Sequence, residues 1–380
     1  MPFKPPPWVP ELQIDPPDTI SIADFMLDEK YGRRAFTESR APFICGISGK
    51  APSAFAVKEQ VELLARGLAK ELGWQPNEGK EFDKVAGIFS LNTIDYLPLT
   101  WAVHRLGGIV TPANAQYSSS DLAHQLKDSG SRCLFTCWPL LQTAIKAAKD
   151  AGKQEPSIDA LRWNKGEGKR RAAFICYSSG TSGLPKGVII SHHNVITNTM
   201  QVCTFENPSR ERSSERLAQK PYMENVLGLL PLSHIYGLVM IAHCSVWRGD
   251  GVVILPKFEF KECLQAIQDH AINTLFLVPP IVILMTKRQD LLRQYDLSSV
   301  HTIFTGAAPL GQETAEELWK VFPKWLIRQA YGLTETCVVV SSSADFDIWL
   351  GSSGSLITGV EGRLVTLENK EIREHDQKQG

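Results

Sequence analysis

The sequence predicts an α/β protein whose mostly parallel sheets are covered by helices on both faces, and three observations carry that expectation. Short β-branched runs alternate with amphipathic helical segments along most of the chain, the pattern left when buried strands are joined by crossover helices. The 380 residues are 43% apolar, which suits a large core and two or three compact units rather than one small module. No repeat of fixed period is visible, which sets aside solenoids and propellers.

The elements follow in order. After a Pro-rich arm over residues 1–22, residues 84–90 read as a strand, 94–105 as a helix ended by Gly107 and Gly108, 109–112 as a strand, 120–127 as a helix and 132–136 as a strand. Together they form a βαβαβ run. The second half repeats the alternation with strands expected at 173–177, 188–190, 226–230, 252–255, 274–278, 300–304 and 326–329, and helices in most of the gaps. Residues 207–220, NPSRERSSERLAQK, carry no apolar face and are expected to form a solvated surface loop.

Composition narrows the function classes. Lys plus Arg number 40 against 41 Asp plus Glu, so there is no electrostatic footprint for nucleic acid or an anionic membrane, and any anionic ligand must be held locally. The N-terminal prolines stand where a signal peptide needs an apolar core. Residues 225–247 are interrupted by Pro231, Ser233, His234 and His243 and read as a strand, a turn and a buried helix rather than a membrane span. Eight cysteines lie scattered through apolar stretches, as expected of buried free thiols in a reducing compartment. Cys133 and Cys137 are the closest pair, but no second Cys or His pair stands at a zinc-binding spacing. A soluble, cytoplasmic chain is the expectation.

The most informative segment is residues 177–188, YSSGTSGLPKGV, where an apolar strand enters a loop of three glycines, four hydroxyl side chains and one lysine. Gly180, Gly183 and Gly187 let backbone N–H groups come close to phosphate oxygens. Ser178, Ser179, Thr181 and Ser182 add hydroxyl donors, and Lys186 adds a mobile positive charge. An ordinary turn explains the glycines but not the hydroxyls gathered beside a lysine. The loop is not a Walker A sequence, since Pro185 precedes the lysine and Gly187 follows it.

This segment resembles the signature loop of the adenylate-forming superfamily, which contains acyl-CoA ligases, firefly luciferase and peptide-synthetase adenylation domains. The resemblance implies that Ser178, Ser179, Gly180, Thr181, Ser182, Gly183 and Lys186 grip the phosphates of ATP, with Thr181 also near the metal. Three further segments follow in that family's order. PLSHIYG, residues 231–237, resembles the segment that places a histidine against the carboxylate being activated and an aromatic at the acyl pocket, roles that fall on His234 and Tyr236, with Met240 beyond. Lys257, in PKFEF, matches a basic position that contacts CoA in the coumarate-ligase branch; a solvated surface lysine is the plain alternative.

TGAAPLG, residues 305–311, follows a strand and precedes a helix, so its small residues lie where open α/β sheets bind ligands and leave room for a flat ring. By resemblance Thr305, Gly306 and Ala307 border the acyl-adenylate and one wall of the adenine site. In QAYGLTET, residues 329–336, a strand delivers Tyr331 as a stacking surface, Thr334 as a phosphate-directed hydroxyl and Glu335 as a hard ligand for Mg²⁺. The family places Gln329, Ala330 and Gly332 at the adenine side. The implied catalytic residues are thus Lys186, His234, Thr181 and Glu335, with ATP and Mg²⁺ required and CoA as co-substrate.

The resemblance also implies an architecture: the large N-terminal domain of the adenylate-forming fold, with two helix-flanked, mostly parallel sheets and a smaller β subdomain. On that reading residues 23–172 form the first α/β subdomain, 173–345 the second with the phosphate loop and adenine site, and 346–380 begin the β subdomain. The sequence after residue 366 reads LENKEIREHDQKQG, where the family continues into a ribose-binding aspartate, a hinge and a small C-terminal domain with a further lysine. That departure leads to the expectation of a chain lacking the closing domain. The leading reading is an acyl-CoA ligase for an aromatic or fatty acid. The alternatives are a non-catalytic nucleotide- or acyl-binding remnant and a luciferase-like monooxygenase. No Ser/His/Asp hydrolase pattern or GxSxG is present.

Overall fold

The computed structural model describes residues 2–140, 161–178 and 185–366. Among these, the strands form two sheets. The smaller has the order β4-β2-β3-β5-β6, with β2 Val85–Phe89, β3 Ile109–Ala113, β4 Cys133–Thr136, β5 Ala172–Ser178 and β6 Lys186–Ser191. All its pairs are parallel except β5 with β6. The larger has the order β1-β8-β7-β9-β10-β11-β12-β13. Its members are β1 Phe43–Cys45, β7 Asn225–Gly228, β8 Gly251–Ile254, β9 Thr274–Leu277, β10 Thr302–Thr305, β11 Leu326–Leu333, β12 Val338–Ser342 and β13 Ser355–Leu356. It is parallel up to β11 and antiparallel beyond. The helix-flanked, mostly parallel sheets match the sequence pattern, and their number matches what the family resemblance implies.

Strand pairing does not divide at residues 172/173. β5 is apolar and buried over its first five residues, so it demands neighbours on both edges; it finds β3 on one side (Val110 opposite Phe174) and β6 on the other. The phosphate-loop hairpin thus belongs to the first sheet, and the early strand β1 pairs with β8 in the second.

Alternation along the strands of the larger sheet separates two cores. Val226, Val252, Phe276 and Phe304 face a core shared with the smaller sheet, whereas Leu227, Val253, Leu275 and Ile303 face the helices Phe260–Asp269, Pro279–Lys287 and Gln312–Val321. The shared core is filled by the helix His192–Leu217, through Val195, Ile196, Met200 and Phe205, and by the π-helical segment Tyr236–Cys244.

That long helix overturns the loop expected at 207–220. It runs to Leu217 because its inward face over this stretch is polar yet buried: Glu206 pairs with Arg328 and Arg210 with Asp250, while Ser209 and Ser213 fill the spacing between. A search for an apolar face misses such a helix, and Pro208 within it further masks the signal.

Residues 225–247 fold as the strand, turn and buried helix expected of them, the helix being π-helical over Tyr236–Cys244. Among the described residues no helix is long and apolar enough to cross a membrane. All eight cysteines are free thiols, five of them buried, and burial pushes the thiols of Cys176 and Cys263 up to about 12. The Pro-rich arm is tied to residues 346–366: Phe3 and Gly362 form a backbone bridge, Thr358 donates to the Pro10 carbonyl at 3.0 Å, and Trp8 packs on Phe346.

Candidate active site

The β5–β6 hairpin sets the base of the phosphate loop. Ser178 and Lys186 are register partners at its open end, with Tyr177 opposite Gly187. Gly187 lies so near Tyr177 and Ile175 that a Cβ would stand 3.0 Å from the Ile175 side chain. Lys186 is exposed. The expected phosphate ligands Ser179, Gly180, Thr181, Ser182 and Gly183 lie outside the described residues.

A second group forms at the C-terminal ends of β10 and β11, where Thr305 is the register partner of Gln329. Gly306 sits against the Ala330 carbonyl and the Tyr236 ring, and Ala307 takes a left-handed φ of 68° with its side chain exposed. Gln329 is buried, and its side-chain oxygen accepts from the Leu310 N–H at 3.1 Å, so it fastens the loop after β10 to β11. Thr305 is fully buried, and its hydroxyl has no hydrogen-bond partner. Tyr331, at 52% exposure, presents a free aromatic surface.

Beyond Tyr331 the chain makes a tight reversal. A Cβ on Gly332 would lie 1.4 Å from the Val338 carbonyl oxygen, so glycine is required there. The Thr336 hydroxyl accepts from the Leu333 N–H at 3.0 Å, and Cys337 and Val338 carry φ values of 56° and 105°. The turn presents Glu335 to solvent beside half-buried Thr334. Among the described residues no group of three or more His, Cys, Asp or Glu could hold a metal ion. A lone exposed carboxylate is nevertheless compatible with Mg²⁺, which is commonly bound through one or two carboxylates together with substrate phosphates and water.

The third group comes from the turn before the π-helical segment. Gly237 is required because a Cβ would meet the Pro231 carbonyl at 2.3 Å. His234 is exposed at the rim; its Nδ1 accepts from the Tyr236 N–H at 3.2 Å, which leaves the neutral ring's proton on Nε2. Desolvation by surrounding protein lowers its pKa below the usual imidazole value. The Tyr236 hydroxyl donates to the Phe304 carbonyl at 3.0 Å, tying this segment to the end of β10. His243, by contrast, is a satisfied core histidine: it accepts from Trp101 Nε1 at 3.1 Å and donates to the Leu238 carbonyl at 2.7 Å, and burial pushes its pKa down to about 4.

Two residues stand apart. Met240 is 1% exposed within the shared core. It borders a small polar cavity of about 30 Å³ near Glu206 and Arg328, not the open strand ends. Lys257 is a surface lysine paired with Glu259 at 2.9 Å. Asn198, which hydrogen-bonds the Val339 backbone just beyond the turn, gave no sequence signal beyond its polarity, and Thr336 closes the QAYGLTET segment with no role implied for it there.

Adjacent parallel strands ending in a small-residue loop, an exposed aromatic and a protruding carboxylate form a candidate ligand site of an α/β domain. The chain belongs to the AMP-binding enzyme family, whose model matches residues 41–380. It is 35% identical over 425 aligned positions to an acyl-CoA ligase of Cordyceps militaris, covering 99% of this chain and 64% of that protein. An acyl-CoA ligase of Emericella nidulans is 37% identical, with 96% of this chain and 69% of that protein covered. The chain thus spans about two thirds of the length of these relatives. Its fold matches the crystal structure of a long-chain-fatty-acid-CoA ligase from Archaeoglobus fulgidus with a TM-score of 0.76 at 21% identity, covering 97% of this chain and 75% of that one.

Proposed function

We propose that this chain carries the adenylation site of an AMP-forming acid–CoA ligase. A carboxylate oxygen attacks the α-phosphorus of ATP, a new P–O bond forms as the bond to the bridging oxygen breaks, and pyrophosphate leaves, giving an acyl-adenylate. Transfer of the acyl group to the thiol of CoA then releases AMP. The carrying observation is the convergence of Gly306, Gln329 and Tyr331 at adjacent strand ends, with the Glu335 turn immediately beyond. The acyl-CoA ligase names of the relatives support the second half-reaction.

On this reading Tyr331 offers its exposed face to adenine while Gly306 and Ala307 leave room for the ring. Lys186, at the mouth of the hairpin, draws the triphosphate in, together with Ser178, the expected loop groups of residues 179–183 and the Thr334 hydroxyl. His234, neutral with its proton on Nε2, donates a hydrogen bond to the substrate carboxylate and orients the attacking oxygen. Glu335 and Thr181 would hold Mg²⁺, which when bound offsets phosphate charge. Two anions must approach, so preorganised positive groups dominate the barrier. Lys257 as a CoA contact and an aromatic or fatty acid as substrate belong to the same proposal.

The test is acid-dependent ATP–pyrophosphate exchange by the purified chain across aromatic and fatty acids. Lys186→Ala and Glu335→Ala should each lower exchange by about 100 to 1000-fold without unfolding the protein, since both side chains are exposed. Folded, ATP-binding wild-type protein that exchanges with no acid would overturn the proposal and favour a non-catalytic binding domain.

A further inference from the structure

We infer that Asn198 is a positioning residue for Glu335, an inference that rests on the adenylation reading above. Asn198 is 4% exposed and grips both backbone polar groups of one β12 residue: Nδ2 donates to the Val339 carbonyl at 2.9 Å, and Oδ1 accepts from the Val339 N–H at 3.3 Å. Val339 directly follows the two strained residues, Cys337 and Val338, that close the turn presenting Glu335. A positive φ at a β-branched residue persists only where the surroundings over-determine it. The Thr336 hydroxyl holds the turn from within, and Asn198 holds it from without.

The helix that carries Asn198 makes this grip more than local. It begins at His192, directly after β6, under a capping box formed by Ser191 and Asn194. Asn198 lies six residues into it, roughly 9 Å along the axis at 1.5 Å per residue. One rigid element therefore runs from the exit strand of the phosphate loop, in the smaller sheet, to the exit strand of the Glu335 turn, in the larger. It fixes the two halves of the site relative to each other, and the only side-chain hydrogen bonds that helix makes to β12 are those of Asn198 to Val339 among the described residues.

The test compares Asn198→Ala with Asn194→Ala, which removes the side-chain half of the capping box, the bonds from the Ser191 N–H and hydroxyl to Asn194 Oδ1, without touching β12 and so serves as a control for lost stability. Asn198→Ala should lower kcat for ATP–pyrophosphate exchange and raise the Mg²⁺ concentration required by about 10 to 100-fold, the usual effect of losing an outer partner of a ligand, while the KM for the acid stays put. Independently of activity, peptide-resolved thiol labelling should show buried Cys337 reacting faster in Asn198→Ala but not in Asn194→Ala. If Asn198→Ala does not fold, Asn198→Ser, too short to reach both Val339 groups, replaces it. Equal kinetics and equal Cys337 labelling in the two variants overturn the inference. Absent exchange in the wild type instead brings down the functional reading on which it stands.

Discussion

Replacing Glu206 by leucine removes the carboxylate that holds Arg328 and leaves a guanidinium stranded between the long helix and β11. The pair is bidentate, with contacts of 2.6 and 2.9 Å, and both side chains are less than a tenth exposed. Arg328 Nε keeps the Ser343 carbonyl at 2.8 Å, but both terminal nitrogens lose their carboxylate. Breaking a buried pair from one side costs about 3 to 5 kcal/mol, whereas replacing both partners by apolar groups of similar volume costs far less. Glu206→Leu should therefore lose about 3 to 5 kcal/mol in urea unfolding at pH 7, and Glu206→Leu with Arg328→Met should recover most of it. Burial pushes the Glu206 carboxyl pKa up, but the charge and hydrogen bonds of Arg328 outweigh it and hold it below the usual value. That stabilisation is complete above the unfolded pKa of about 4.3 and fades as pH falls through the lower folded value. A loss under about 1 kcal/mol in Glu206→Leu, or a double variant no better than the single, would refute the reasoning.

Two further outcomes follow from the same geometry. Gly332→Ala forces the β11–β12 reversal open and should cost about 3 kcal/mol, the upper end of the usual overpacking cost, with loss of nucleotide-analogue binding by calorimetry; unchanged unfolding and binding would show that the turn has room to spare. Lys84, desolvated with its ammonium on the Gln75 and Leu106 carbonyls, has its pKa lowered to about 8. The unfolded chain then binds more protons between that value and about 10.4, so this group makes stability rise with pH across the window. Melting curves of the wild type should rise relative to those of Lys84→Met from pH 8 to 10, and parallel curves would contradict it.

The candidate site stands out in the sequence wherever one short segment gathers the residue types that the proposed chemistry needs. The glycines, hydroxyls and lysine of residues 177–188, and the Tyr331, Thr334 and Glu335 series, stand out in the sequence because one backbone segment supplies each group. Gln329 was legible as a site residue but not as the clasp on Leu310, since that hydrogen bond spans a helix and a strand. Met240 lies in the core, as most methionines in apolar runs do. Asn198 was invisible: its partner is a backbone peptide far along the chain.

By itself, the sequence determined the alternation of strands and helices and the fold class, and it marked residues 177–188 as a candidate phosphate loop, because periodicity and turn chemistry are local properties. It did not determine where the chain crosses between sheets or that residues 207–217 are helical. Those were decided by tertiary contacts: β5 needs β3 at its edge, and a polar helix face is buried only because Arg328 of β11 and Asp250, just before β8, arrive from distant parts of the chain to neutralise it. A charge's cost of burial depends on its partner, and the partner is known only once the chain has folded.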